Sequence, residues 1–157
     1  GTQVRMSDGS LKAIEDIAIG DRILSYNEES KSSFNASVTQ TLHHSAAAQS
    51  LHTFYMADGR RITSNDIHVI FSVEDGRYVP AADLAKRVKS GETIHFLSEK
   101  GTPVQVSFAN VKDAFVKVYN LHVDGIKNSS AFENEGIGHN YFVDGLLVHN
   151  MGTVQKQ

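Results

Sequence analysis

The sequence predicts an all-β fold, strands and turns with at most one short helix, and two observations predict it. Short apolar runs separated by Asp-Gly pairs recur along the chain, in "VRMSDGSLKAI", "LHTFYMADGRRITS", "HVIFSVEDGRYVP" and "NYFVDGLLVHN". Asp-Gly suits a hairpin because both central residues of a type I′ turn need positive φ, which glycine adopts freely and aspartate tolerates. The segments "MSDGSLKAIEDIAIGDRILSY" and "SVEDGRYVPAADLAKRVKSGETIHFL" also share an order: Asp-Gly, an apolar stretch, then Gly20-Asp21 or Gly91-Glu92 opening a strand. Two copies of one supersecondary unit predict pseudo-twofold β subdomains, each covering the core of the other.

Along the chain, strands are expected on either side of Asp8-Gly9, Asp58-Gly59, Asp75-Gly76 and Asp144-Gly145. The one helical candidate is "PAADLAKRVKSG", where Pro80 suits a first turn, Leu84 and Val88 are four apart, and Gly91 serves as a stop. The polar stretches "NEESKSSFNAS" and "DGIKNSSAFENEGIG" are expected as loops, the second long enough for an insertion.

A chain of 157 residues suggests one domain able to bury a substantial core. The net charge of −3 gives no electrostatic reason to expect a nucleic-acid or membrane partner. No stretch has the apolar length of a transmembrane helix, and the opening "GTQVRMSDG" lacks the regions of a signal peptide. Without cysteine there is no disulfide, thiolate metal site or thiol nucleophile within these residues.

The chemistry suggested by the sequence lies in "HNYFVDGLLVHNMG". If Asp144-Gly145 is a two-residue turn, Val143 faces Leu146, Phe142 faces Leu147, Tyr141 faces Val148 and Asn140 faces His149. His139 then lies opposite Asn150. Directly opposed side chains have Cβ atoms roughly 4.5 to 5.5 Å apart, so the hairpin delivers an imidazole to the Asn150 carboxamide and its following peptide bond. An asparagine so placed can attack its own main-chain carbonyl, close a succinimide and expel the next residue's amine. The amide is a weak nucleophile and the amine a poor leaving group, so a base, an acid and a polarised carbonyl are needed. His139 and His149 suit those roles. For an arbitrary His-Asn pair at a strand end, satisfaction of backbone groups is the commoner explanation.

Those residues also carry a resemblance. "VYNLHVDG…HNYFVDGLLVHN" resembles the C-terminal splicing motifs of inteins, "GTQVRMSDGSLKAIEDIAIGDRILSY" resembles the opening of the hedgehog–intein (Hint) superfamily, and "ITSNDIHVIF" resembles its Thr-x-x-His motif. The matches cover nearly the whole chain in the expected order. The resemblance implies an all-β horseshoe whose two ends meet at one site, a self-processing domain over 1–150 and a flanking tail over 151–157. It implies His68 as the histidine activating an N-terminal scissile peptide, with Asn65 as its helper and Thr63 in reserve. His139 and His149 match the histidines assisting cyclisation, and Asn150 the cyclising residue. Asn120 stands where the family often has aspartate, so it can orient a neighbour but cannot act as a base.

Two departures from the family pattern are larger. Alignment on Thr2 puts the usual nucleophile upstream of Gly1, and Met151 stands where splicing inteins have Cys, Ser or Thr. Methionine cannot accept an acyl group by transesterification, so ordinary splicing is expected to fail. The resemblance thus implies an intramolecular, single-turnover domain of the bacterial intein-like or a related non-splicing class. It is expected to act as a monomer on its own flanking segments without a cofactor. The rivals are hedgehog-type N-terminal ester cleavage, which does not need a terminal His-Asn, and a catalytically inactive β-rich binding module. His43, His44, His52, His95 and His122 lie in strand-like runs, and no tight spacing among the eight histidines marks a metal site.

Overall fold

Each half of the chain follows one order: strand, turn, strand, helical turn, left-handed glycine, strand, and then a very long strand. The computed structural model describes residues 2–126 and 137–149. In the first half these elements are β1 (Gln3–Arg5), β2 (Leu11–Ala13), a 3-10 turn (Ile14–Asp16), β3 (Arg22–Asn27) and β4 (Ser32–Met56), followed by β5 (Arg61–Asn65). In the second they are β6 (Val69–Ser72), β7 (Arg77–Pro80), α1 (Ala81–Lys89), β8 (His95–Leu97) and β9 (Pro103–Val123). Gly20 and Gly91 sit at the same place in the two units with φ of 94° and 96°. The expected pseudo-twofold repeat is therefore present in the element order. The long strands β4 and β9 pair antiparallel with each other along most of their length.

The chain ends with a two-stranded pair, β10 (Gly125–Ile126) and β11 (Ile137–Gly138), and a hairpin of β12 (Asn140–Val143) and β13 (Leu146–His149). The main sheet runs β2-β1-β12-β13-β6-β8-β9-β4-β3, with β5 on β4 and β7 on β6. A bridge between Met6 and Ile23 returns the β3 end to the β1 end, so the sheet curls into the horseshoe expected of the all-β class. Its interior is lined by Val4, Ile23, Phe54, Ile70, Tyr141 and Val148, all at 0% exposure.

The hairpin β12–β13 lies within this curl and is covered on both faces. Tyr141, Val143, Leu146 and Val148 belong to the main core, whereas Phe142 and Leu147 pack with Tyr26 and Leu97 on the other side. Double coverage explains why Leu146-Leu147-Val148 is a continuous apolar run rather than an alternating one. Asp144 and Gly145 have φ of 50° and 82°, the two positive values of a type I′ turn. At Asp8-Gly9, Asp58-Gly59 and Asp75-Gly76 only the glycine has positive φ. Those connections are longer: the Met56 amide, for instance, donates to the Arg60 carbonyl across three intervening residues at 2.9 Å.

The helix ends as expected. The Gly91 amide donates to Val88 O at 3.1 Å and the Glu92 amide to Arg87 O at 3.0 Å, a Schellman closure around a glycine. One expectation needs correction. The stretch 27–37 is not a loop throughout, because Ser32–Ser37 pairs with Arg22–Asn27 in β3. Phe34, Ala36 and Val38 supply the inward face there, and the flanking Ser32 and Ser33 with Asn35 and Ser37 mask a period-two pattern. The second expected loop contributes the β10–β11 pair at its ends, and its interior lies outside the described residues.

Candidate active site

The hairpin register is the one the two-residue turn requires: Val143 pairs with Leu146, Phe142 with Leu147, Tyr141 with Val148 and Asn140 with His149. Asn150, Met151 and the tail 151–157 lie outside the described residues. His149 closes β13, and its ring lies 6.4 Å, centroid to centroid, from that of His139. His139 precedes β12 with a left-handed φ of 54°, unusual for a residue with a Cβ. Its Nδ1 lies 3.1 Å from the Val123 carbonyl, which can only accept, so Nδ1 carries the proton. In the neutral ring Nε2 is then the proton acceptor.

His68 approaches from the other half of the chain. It follows β5 by a short turn in which Asn65 Oδ1 accepts the His68 amide at 3.2 Å, which fixes the backbone of the Asn-x-x-His segment. Burial pushes the His68 imidazole down to about 4; a hydrogen bond to the His149 main chain opposes that fall and the His149 charge adds to it. The ring is therefore neutral at pH 7. Its Nε2 is buried without a hydrogen-bond partner among the described residues. A neutral imidazole that donates from one nitrogen keeps a lone pair on the other, the state a general base requires.

A cavity of about 250 Å³ lies beside this ring, lined by Thr2, Asn65 and His68 among apolar side chains such as Ile62, Val143 and Val148. Thr2 is where the described chain begins and His149 where it ends. The structure thus brings both ends to His68. The placement follows from the sheet order, since β1 and β13 flank β12, and β13 pairs with β6 through Val148 and Ile70.

Of the other sequence candidates, Thr63 also lines the cavity, and its hydroxyl bonds to the Thr53 hydroxyl at 2.9 Å on the exposed side of β4–β5. Asn120 is buried in β9 at 3% exposure, opposite Leu42, and its Oδ1 has no partner among the described residues. Among the histidines given no role, His52 is held by Asp66 at 2.5 Å. Among the described residues no group of three or more His, Asp or Glu side chains could hold a metal ion.

Sequence reasoning missed the polar residues surrounding the His149 ring. Tyr78 packs against it with centroids 4.6 Å apart, and Asn140 bonds to the Tyr78 hydroxyl at 2.8 Å. Asn140 was visible as the partner of His149 in the hairpin. Tyr78 and its further partner Glu28 had no local signal, because tertiary packing alone brings them there.

The fold is shared with domains of one superfamily. The solution structure of a bacterial intein-like domain from Clostridium thermocellum is 26% identical, covers 96% of this chain and 95% of its own, and has a TM-score of 0.74. A DnaB intein from Synechocystis sp. PCC 6803 is 16% identical over 95% of this chain and 94% of its own, with a TM-score of 0.69. The gp41-1 intein, also 16% identical over 95% and 94%, has a TM-score of 0.65. At that identity the last two speak for the fold alone. No curated protein matches the sequence. The family model for the pretoxin HINT domain matches residues 3–151, nearly the whole chain. The chain belongs to the pretoxin HINT domain family, and so to the bacterial intein-like, self-processing kind of Hint domain.

Proposed function

We propose that this domain cuts its own chain after Asn150, by cyclisation of that asparagine, and frees the segment beginning at Met151. The Asn150 side-chain nitrogen attacks the Asn150 main-chain carbonyl carbon, the bond to the Met151 nitrogen breaks, and a succinimide and a free amine result. One imidazole takes the proton lost by the attacking amide, and another gives a proton to the departing amine. His139, whose Nδ1 is turned to the Val123 carbonyl and leaves Nε2 to accept, suits the first role and His149 the second. Met151 has no acyl-accepting group, so the outcome is cleavage rather than splicing.

The observation that carries this reading is the contact of the His68 imidazole with the His149 main chain. It links the histidine of the N-terminal motif to the peptide next to the proposed cut. Upstream, an acyl shift at a nucleophile preceding Gly1 would use His68, with Asn65 or Thr63 aiding at its carbonyl and Asn120 as an orienting amide. The family's description as a pretoxin domain suits a reaction whose product is the downstream segment.

The test is intact-mass analysis over days near neutral pH, comparing the parent chain with Asn150→Ala. Slow loss of residues 151–157 in the parent alone is expected. Equal loss in both marks ordinary proteolysis, and loss in neither favours an inactive scaffold.

A further inference from the structure

A carboxylate outside the histidine set touches the supports of both hairpin imidazoles. Glu28 stands in the turn joining β3 to β4, which Asn27 Oδ1 shapes by accepting the amides of Glu29 and Ser30 at 2.9 Å each. Glu28 Oε2 accepts the Tyr78 hydroxyl at 2.9 Å and Asn140 Nδ2 at 3.2 Å. Its other oxygen, Oε1, accepts the Gly138 amide at 2.9 Å. One oxygen therefore serves β7 and β12, the other β11.

The Oε2 branch leads to His149. The Tyr78 hydroxyl donates to Glu28 and accepts from Asn140 Nδ2 at 2.8 Å, which leaves the phenol ring little freedom. That ring lies against the His149 imidazole at 4.6 Å, tilted by 58°. The Oε1 branch leads to His139. Gly138 is its immediate neighbour, and a Cβ there would stand 2.7 Å from Phe34 Cζ. The left-handed φ at His139 is costly for such a residue and persists only where its neighbours hold it. Glu28 at Gly138 is one such hold; Asn140, bonded to both main-chain groups of Tyr26 at 2.8 and 2.9 Å, is another, and the bond from His139 Nδ1 to the Val123 carbonyl is a third.

We propose that Glu28 is a positioning residue that sets the mutual placement of His139 and His149, acting on His149 through Tyr78 and on His139 through the Gly138 amide. Its purpose rests on the cyclisation reading, because an acid and a base must stand within hydrogen-bond reach of one peptide bond. The placement itself does not depend on that reading. Glutamine at position 28 keeps the size of the side chain but replaces one acceptor oxygen with a donor, so one of the two branches must break.

Glu28→Gln and Tyr78→Phe in the full chain test this, with Glu74→Gln as a control because Glu74 bonds the amide and the Nδ1 of His95 on β8. Imidazole Cε1–H resonances are followed together with the rate at which residues 151–157 are lost. In Glu28→Gln the resonance on the broken branch should move and broaden, that of His139 if the Gly138 bond is lost and that of His149 if the Tyr78 bond is lost. In Tyr78→Phe the His149 resonance should move much more than that of His139, and Glu74→Gln should disturb neither. Cleavage should slow by about 10- to 100-fold in the first two variants, the range expected for a small misplacement of reacting groups. Parent-like His139 and His149 resonances in a folded Glu28→Gln chain overturn the proposal. If that variant does not fold, a parent-like His149 signal in Tyr78→Phe does so. A parent chain that never cleaves defeats the cyclisation reading, while the resonances still decide the role of Glu28.

Discussion

Asp144 and Gln3 bind each other twice across 141 positions of sequence: the Gln3 amide donates to Asp144 Oδ1 at 3.1 Å, and the Asp144 amide donates to the Gln3 carbonyl at 2.8 Å. The adjacent pair Val4 and Val143 continues the contact as a β-bridge. The strand that begins the domain and the turn of the hairpin that ends it are therefore one piece of sheet. A displacement at either end is transmitted to the other through backbone hydrogen bonds rather than through a flexible chain.

This junction predicts opposite effects for two substitutions at Asp144. Burial raises the Asp144 pKa and the Gln3 bond only partly opposes it, so the folded state binds this proton more tightly than the unfolded state does. A group of that sign lowers stability as pH rises through its titration. Asp144→Asn keeps the acceptor and tolerates positive φ, so at pH 7 it should match or exceed the parent in urea denaturation. Asp144→Ala loses the bond and places an ordinary residue at φ 50°, and should cost about 1–2 kcal/mol. Asn and Ala variants of equal stability would show that the Gln3 bond contributes nothing.

His68 gives stability the opposite pH dependence. Its folded pKa is pushed down by burial from 6.5 to about 4, so in that window the unfolded chain binds the proton and the folded chain does not. Its contribution is fully present above pH 6.5 and is lost progressively as pH falls toward 4. At about 1.4 kcal/mol per unit the loss amounts to about 3 kcal/mol. Urea midpoints measured from pH 7.5 to 4.5 should fall steeply in the parent and less steeply in His68→Gln. Parallel curves would mean that His68 titrates normally and is not a buried neutral ring.

The hairpin, the helix stop and the repeat were legible because each is specified locally. A two-residue Asp-Gly turn leaves one register for 140–149, and Gly91 ends α1 through bonds within six residues. The strand Ser32–Ser37 was not legible, because serines and asparagine surround its inward-facing Phe34 and Ala36, and its pairing with β3 decides its conformation. Glu28 and Tyr78 were beyond sequence reasoning for a related reason. They lie 50 positions apart, and Asn140, which joins them, is 112 positions from Glu28. Asn65 was legible as a partner of His68, but only the structure shows that its oxygen holds the His68 amide.

The two imidazoles of the hairpin should matter unequally in kind but similarly in size. General acid–base assistance contributes about 10²- to 10⁴-fold, so His139→Ala and His149→Ala should each reduce a slow cleavage after Asn150 to near the limit of detection. His139→Gly differs, because glycine accepts the left-handed φ of 54° that strains alanine. It should be as inactive as His139→Ala yet about 1 kcal/mol more stable. Intact-mass rates and thermal melts on the same samples separate the two effects. Full activity in the glycine variant would remove His139 from the chemistry.

The role of Asn65 can be separated from that of His68 in a chain extended upstream of Gly1, with a cysteine at the position the family alignment gives the nucleophile and a short peptide before it. An acyl shift there makes a thioester, which added thiol intercepts, so cleavage at that junction should become thiol-dependent. His68→Ala should lower it by about 10²-fold or more, since the neutral imidazole beside the cavity is the available base. The structure gives Asn65 a more limited part: its Oδ1 accepts the His68 amide and so holds the ring in place. Asn65→Asp preserves that acceptor and should retain most of the thiol-dependent rate, whereas Asn65→Ala should lose about tenfold through a misplaced His68. If the amide NH₂ of Asn65 instead polarises the scissile carbonyl, aspartate cannot replace it, and its negative charge would oppose the developing oxyanion. Asn65→Asp would then be the worse of the two variants. The order of the Asp and Ala rates therefore decides between a residue that holds the base and one that touches the reacting carbonyl.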